Sequence, residues 1–264
     1  MANSKIAAGI KTDKSKEENN ELVFSYLTLR NLIGFSGILL PLVLAIAPKR
    51  PSDYYGIEPS ISDYFYTDRG DILVAVLCIL GAFLITYKGY TWKEQLLTFI
   101  AGICSIGIAL VPTKMNCLEC KLSIHTGNGG IFSFMAGTAW HFSFAAIFLL
   151  CLAIMSLVFF TKGREEDYYQ QAGGNFTQKA KRNVVYKVSG WIIIGSLLIL
   201  GLYFLIKPDL GQIPIVFAFE ALAVVAFGFS WITKGQTLWP DGEHYLTKGI
   251  HKVKKMLQSP PEYG

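Results

Sequence analysis

The sequence has few charged residues for its length, and the shortage is local. Asp, Glu, Lys and Arg make up 16% of 264 residues, against about a quarter in an ordinary soluble domain. Those present fall in the first thirty residues, the loops and the tail. Between them lie apolar runs of about 17–23 residues, enough to cross roughly 30 Å of hydrocarbon. The shortage argues against a water-soluble domain and predicts an all-α polytopic membrane protein.

The sequence also lacks a continuous basic stripe and a signal-peptide core. Its net charge is +5, but the basic residues follow helix ends, which indicates membrane topology and no nucleic-acid partner. The polar opening, Met1 to Glu21, has no apolar core, so the first span is predicted to be an uncleaved signal anchor.

No span carries a ladder of charges or is broken by paired Gly and Pro. Those features mark ion-coupled transporters. An oligomeric channel or membrane-disrupting effector stays open, because one protomer need not supply a whole pore.

Six spans form a predicted six-helix bundle over residues 30–235. A polar cytoplasmic segment, 1–29, precedes the bundle, and a basic amphipathic cytoplasmic tail, 236–264, follows it. The predicted spans are residues 32–47, 72–87, 95–111, 138–160, 188–206 and 214–232.

Lys and Arg in the short loops predict the orientation. Residues 161–187 and the tail are rich in Lys and Arg, whereas in the loop after span one basic residues are diluted by acidic ones. Because cytoplasmic loops carry the excess of Lys and Arg, both termini are predicted to be cytoplasmic.

Polar residues inside predicted spans mark the candidate site, since burying them in a membrane is costly. His141 lies about one turn into span four and Glu220 about two turns into span six. Asp71 opens span two at a similar depth, after a polar and aromatic stretch that includes Ser62. His125 lies in the loop before span four. These residues predict an outward-facing polar pocket.

Three interpretations of this pocket remain open from the sequence. His141 and Glu220 pair with each other, or with Ser and Tyr hydroxyls, and fix helix packing. Alternatively, Asp71, His141, Glu220 and Ser62 bind a lipid headgroup or another ligand. In the third, Asp71, His125 and His141 hold a catalytic metal such as zinc, with Glu220 as general base.

Cys117 and Cys120 form a C-x-x-C motif on the predicted outer side. With His125 it offers zinc ligands, but there is no second C-x-x-C. A disulfide is the simpler interpretation in an oxidising compartment.

Small residues and tryptophans predict how the helices pack. Ala101, Ser105 and Ala109 form a small-residue ridge on span three, and a similar ridge on span four includes His141, which predicts that His141 faces protein. Trp191 and Trp231 are predicted to anchor the inner ends of spans five and six at the membrane interface.

Several stretches resemble a family of uncharacterised six-span bacterial membrane proteins. They are Ser60 to Tyr90 (SISDYFYTDRGDILVAVLCILGAFLITYKGY), AlaLeuValProThr at 109–113, the His141 helix and Phe227-Gly228-Phe229-Ser230-Trp231. The likeness covers roughly residues 30–235. That family is distantly similar to Frag/DRAM/Sfk-type proteins and to the superfamily of alkaline ceramidases and progestin-receptor-like proteins.

The ceramidase resemblance implies a zinc-dependent lipid amide hydrolase with a Ser, an Asp and three His. Ser60 or Ser62, Asp71 and His141 match that set loosely. The histidine pair of the hydrolases' last helix has no counterpart, because span six offers only Glu220.

The sequence therefore favours a protein of a bacterial cytoplasmic membrane that binds a lipid headgroup or a protein partner, rather than an enzyme. Membrane lipids and a homo-oligomer or membrane protein are the expected partners. The lipid hydrolase is the alternative.

Overall fold

Helices make up almost all of the chain that the structure describes. A computed structural model describes residues 21–46, 57–113, 138–162, 177–208 and 213–239. Within these ranges there are six long helices and no strand, which confirms the predicted all-α class there. The helices are α1 (Glu21–Ile46), α2 (Gly70–Thr86), α3 (Trp92–Leu110), α4 (Thr138–Ile154), α5 (Gln178–Ile206) and α6 (Ile215–Lys234).

Five of these helices are long and apolar enough to cross a membrane, namely α1, α3, α4, α5 and α6. The remaining helix, α2, is apolar but has 17 residues. Large apolar side chains also cover outward faces, as at Leu198 and Leu205, which are 69% and 80% exposed. Soluble monomers rarely expose such continuous apolar surface. The described part thus has the make-up of a multi-pass helical membrane protein.

Glycines let two helix pairs approach closely. A Cβ on Gly228 of α6 would lie 2.5 Å from the carbonyl oxygen of Gly34 on α1. A Cβ on Gly102 of α3 would lie 2.6 Å from the carbonyl oxygen of Gly81 on α2. These separations leave no room for a side chain, so α1–α6 and α2–α3 pack backbone to backbone, as small residues allow in membrane helices.

The predicted ridge on α3 is confirmed as a packing surface. Ala101, Ser105 and Ala109 are all buried. The Ser105 hydroxyl donates a 2.8 Å hydrogen bond to the carbonyl oxygen of Leu77 on α2. The ridge therefore joins α3 to α2.

One end of the bundle, which we call the Arg30 end, is filled by aromatic rings. Trp231 is fully buried there, with its ring centroid 5.2 Å from that of Tyr87 and 5.4 Å from that of Phe160. The prediction of Trp231 as an interfacial anchor is therefore wrong, because its indole fills the space between three helices. Trp191 is 65% exposed, as an anchor requires.

The opposite end, which we call the Ser62 end, is covered by residues 57–69. This cap contains the 3-10 helix Ser62–Tyr66 and joins three helices. The Phe217 N–H of α6 donates to the Pro59 carbonyl at 2.8 Å, and the Arg69 guanidinium donates to the Leu44 carbonyl of α1. The Tyr66 hydroxyl donates to the Thr113 carbonyl beyond α3. These bonds fix the cap over the bundle.

Candidate functional site

Ser62 and His141 form a direct hydrogen bond at the Ser62 end. The Ser62 Oγ and the His141 Nε2 are 2.7 Å apart. Ser62 comes from the cap, whereas His141 lies in the first turn of α4, so the bond joins two segments that are 79 residues apart. His141 is 3% exposed, which confirms the prediction that it faces protein.

The other ring nitrogen of His141 meets a backbone carbonyl. The Nδ1 lies 2.7 Å from the carbonyl oxygen of Val111. Pro112 stops α3 because proline cannot continue the helical hydrogen-bond pattern, so the Val111 carbonyl is one of those that a helix end leaves without a helical partner. A carbonyl oxygen can only accept, so Nδ1 carries the proton. In the neutral ring Nε2 then accepts, and the Ser62 hydroxyl donates to it.

Glu220 holds the cap next to Ser62. Its Oε2 accepts a 2.7 Å hydrogen bond from the backbone N–H of Ile61. Since Ile61 and Ser62 are consecutive, this bond brings Glu220 of α6 into the same neighbourhood as the Ser62–His141 pair. Three of the four residues predicted as a ligand site, Ser62, His141 and Glu220, are therefore brought together.

A cavity begins at these three residues. Its walls come from α1, α2, α3, α4, α6 and the cap, and most of them are apolar. From His141 to Leu149 the lining of α4 extends about 12 Å into the bundle at 1.5 Å per residue. The wall residues include Leu40, Leu73, Leu77, Leu80, Ile108, Phe148, Leu149, Val224 and Phe227.

Asp71 lies apart from this group. It is exposed in the first turn of α2 and is not among the residues that line the cavity. The buried face of α2 is formed by Leu73, Leu77 and Leu80. Two residues along a helix correspond to about 200° of rotation, so Asp71 projects away from the face that begins at Leu73.

The proposed metal ligands are not assembled in the described part of the chain. Across the described ranges, no group of three or more His, Cys, Asp and Glu is placed to hold a metal ion. His125 lies outside the described residues, and so do Cys117 and Cys120. The zinc site and the disulfide stay predictions.

Two titratable groups of the cap were not predicted as part of the site. Asp63 is 5% exposed, and its Oδ2 accepts a 2.8 Å hydrogen bond from the Ser60 hydroxyl. Burial raises the pKa of Asp63, while the bonds from Ser60 act in the opposite direction. Burial, together with the nearby Asp63, also raises the pKa of Tyr66. Burial in the cap therefore favours the protonated forms of the Asp63 carboxyl and the Tyr66 hydroxyl.

The chain matches no known family model, no curated protein and no solved structure. The resemblance to six-span bacterial proteins therefore stays a prediction from the stretches quoted above.

Proposed function

We propose that the protein is a six-span membrane protein that holds the acyl chain of a membrane lipid in the cavity. In this proposal the polar part of the lipid meets Ser62, His141 and Glu220. The single observation that carries it is the form of the cavity: mostly apolar walls, with Ser62, His141 and Glu220 together at one end. Ligand pockets in proteins have this composition.

The position of the cavity within the bundle supports an acyl chain over a protein partner. Its apolar walls lie between spans rather than on a flat outer face. A carbon chain gains from burial along such walls, whereas a protein partner would need a surface of greater width. The polar groups then suit the ester or headgroup region of the lipid, as the sequence-based hypothesis of headgroup binding requires.

We also propose that α2 is the sixth span and that both termini are cytoplasmic, in a bacterial cytoplasmic membrane. At 1.5 Å per residue α2 is about 25 Å long, and it packs against α3 through Gly81 and Gly102. Basic residues are frequent at the Arg30 end, which supports a cytoplasmic position for that end. The bacterial assignment rests on the resemblance.

Cysteines introduced at Gly127 and Gln171 should be labelled from opposite sides; labelling from one side would contradict the topology.

Native mass spectrometry of the full chain tests lipid binding with a matched pair of variants. Ala145 lines the cavity, whereas Ala146 is exposed on the next position of α4. We expect wild type and Ala146→Phe to carry a tightly bound lipid and Ala145→Phe to have lost it. Equal lipid content in all three proteins, or none in wild type, would contradict the proposal.

A further inference from the structure

We propose that Ser62 is a nucleophile and His141 its general base, so that the protein cleaves or transfers the acyl group of a lipid ester. This inference rests on the proposed function, because the cavity supplies the binding site for the acyl chain. The observation that carries it is the pair of 2.7 Å contacts of His141, one to Ser62 and one to Val111.

The hydrogen bonds orient the imidazole for proton transfer. The Val111 carbonyl accepts from Nδ1–H, which fixes the tautomer and leaves the lone pair of Nε2 for the Ser62 hydroxyl. A serine hydroxyl needs an adjacent base in this relation to act as a nucleophile. The base in turn needs a third group that holds its ring, and here the Val111 carbonyl takes that role.

The helix end that supplies the carbonyl also favours the charged form of the ring. Val111 follows the last residue of α3, and the C-terminal end of a helix carries partial negative charge. When His141 takes the proton of Ser62 it becomes a cation facing that end. The bond to Val111 therefore offsets part of the cost of that charge, which burial and the N-terminal end of α4 both oppose.

The cavity places an acyl ester where Ser62 can reach it. Ser62 and His141 both line the cavity at its polar end, and apolar walls continue from there into the bundle. An acyl chain along these walls brings its carbonyl carbon to the level of Ser62. The alcohol part of the ester then lies toward the membrane surface.

The reaction balances with water or an alcohol as the only co-reactant. The Ser62 Oγ attacks the ester carbonyl carbon while its proton passes to the His141 Nε2. The bond from that carbon to the alcohol oxygen breaks, and His141 gives the proton to the departing alcohol. Water, or a second alcohol, then gives a proton to His141 and attacks the acyl carbon. The bond to Oγ breaks, and the proton returns to Ser62.

Reaction of the purified full chain with a long-chain alkyl fluorophosphonate tests the nucleophile. A serine oxygen attacks the phosphorus and fluoride leaves, so intact mass and peptide mapping report the modified residue. We expect one adduct, on Ser62, which is absent in Ser62→Ala. Ser143→Ala is the matched control, because Ser143 is exposed on α4 and does not line the cavity; it should react like wild type. His141→Ala should react at least about 100-fold more slowly than wild type, since a general base contributes about 10²–10⁴-fold.

Lipid content, measured on the same samples by native mass spectrometry, separates the two proposals. Wild type that carries lipid but does not react, or reacts at another residue, would overturn the nucleophile and leave lipid binding in place. A His141→Ala variant that carries lipid and reacts at the wild-type rate would overturn the role of His141 as base. Wild type with neither lipid nor adduct would overturn both proposals. An adduct on Ser62 that needs His141 supports both.

Discussion

At the Arg30 end of the bundle, buried polar side chains meet packed aromatic rings, whereas at the Ser62 end they meet a cavity. Arg30 and Glu94 are 5% and 3% exposed, and the Tyr87 hydroxyl links them with bonds of 3.0 and 3.1 Å. The ammonium of Lys234 lies 5.2 Å from the centre of the Phe160 ring. None of these residues lines the cavity.

Buried polar groups in a membrane protein therefore do not by themselves mark a binding site. Both ends bury ionisable residues, and both connect them through hydrogen bonds between helices. At the Arg30 end those bonds join α1 to the end of α2 and the first turn of α3, and aromatic rings fill the space between the helices. At the Ser62 end similar bonds leave room for a ligand. We therefore assign packing to the first group and lipid binding to the second.

Glutamine substitutions at the two buried glutamates should separate the two roles most strongly. Glu94 accepts from the Tyr87 hydroxyl and from the Tyr90 N–H, beside the cations Arg30 and Lys234. Removing its charge takes away a buried carboxylate that stabilises those cations, so we expect Glu94→Gln to cost about 3 kcal/mol. Glu220→Gln keeps an acceptor for the Ile61 N–H and should cost about 1 kcal/mol.

Thermal unfolding of the two variants in one detergent measures this contrast. Equal losses of Tm would show that the glutamates have the same structural role, and the distinction between the two ends would fail.

Phenylalanine substitutions at two alanines of α4 should give the next largest effect. Ala153 is fully buried among core side chains, so Ala153→Phe should cost about 1–3 kcal/mol through overpacking. Ala145, eight residues earlier on the same helix, lines the cavity, and Ala145→Phe should have little effect on Tm because the ring enters open space. A lower Tm for Ala145→Phe than for Ala153→Phe would contradict the difference in packing.

The pH dependence of stability should show the smallest effect, at Asp63. Because burial raises its pKa in the folded protein, the folded state binds this proton more tightly than the unfolded chain does. Its contribution to stability is therefore complete below the unfolded pKa and is lost as pH rises through the folded pKa. Asp63→Asn removes this dependence, so its Tm should improve relative to wild type as pH rises through that interval. Parallel Tm curves for the two proteins would contradict the assignment.

Hydropathy predicted where the helices lie, but not how far each extends. It placed span five at 188–206, whereas α5 begins at Gln178. The extra residues include Lys179, Lys181, Arg182 and Lys187, which interrupt the apolar run. They are helical because the Thr177 hydroxyl caps the helix by accepting from the Ala180 N–H at 3.1 Å. A membrane helix can therefore extend beyond the hydrocarbon that hydropathy detects.

Helix depth and helix face predicted the site to different degrees. Depth along the helices correctly indicated that His141 and Glu220 lie at one level, near Ser62. Asp71 shares that level but not that face, and the leucine stripe from Leu73 onward was the signal that distinguished it. The cavity itself depends on the shapes of many side chains from five helices, so periodicity in the sequence could not predict it.

The sequence did not predict which residues are buried at the Arg30 end. Arg30 and Asn31 lie just before the first predicted span, 32–47, yet both are buried. The Asn31 amide donates to the Gly235 carbonyl at 3.2 Å, which links α1 to the end of α6. Trp191 and Trp231 both lie in predicted spans, so the sequence does not distinguish them. Contacts between helices that are distant in sequence bury Trp231 and leave Trp191 exposed.

Photo-crosslinking in a membrane shows whether an acyl chain occupies the cavity. The full chain is reconstituted with a phospholipid that carries a diazirine on its acyl chain, and the crosslinked residues are mapped by peptide mass spectrometry. Outward-facing residues such as Leu198 and Leu205 report the surrounding lipid and serve as the internal reference. If an acyl chain lies in the cavity, we expect additional crosslinks at Leu77, Leu149 or Val224, and we expect Ala145→Phe to remove them. Crosslinks confined to the outward-facing residues would contradict it.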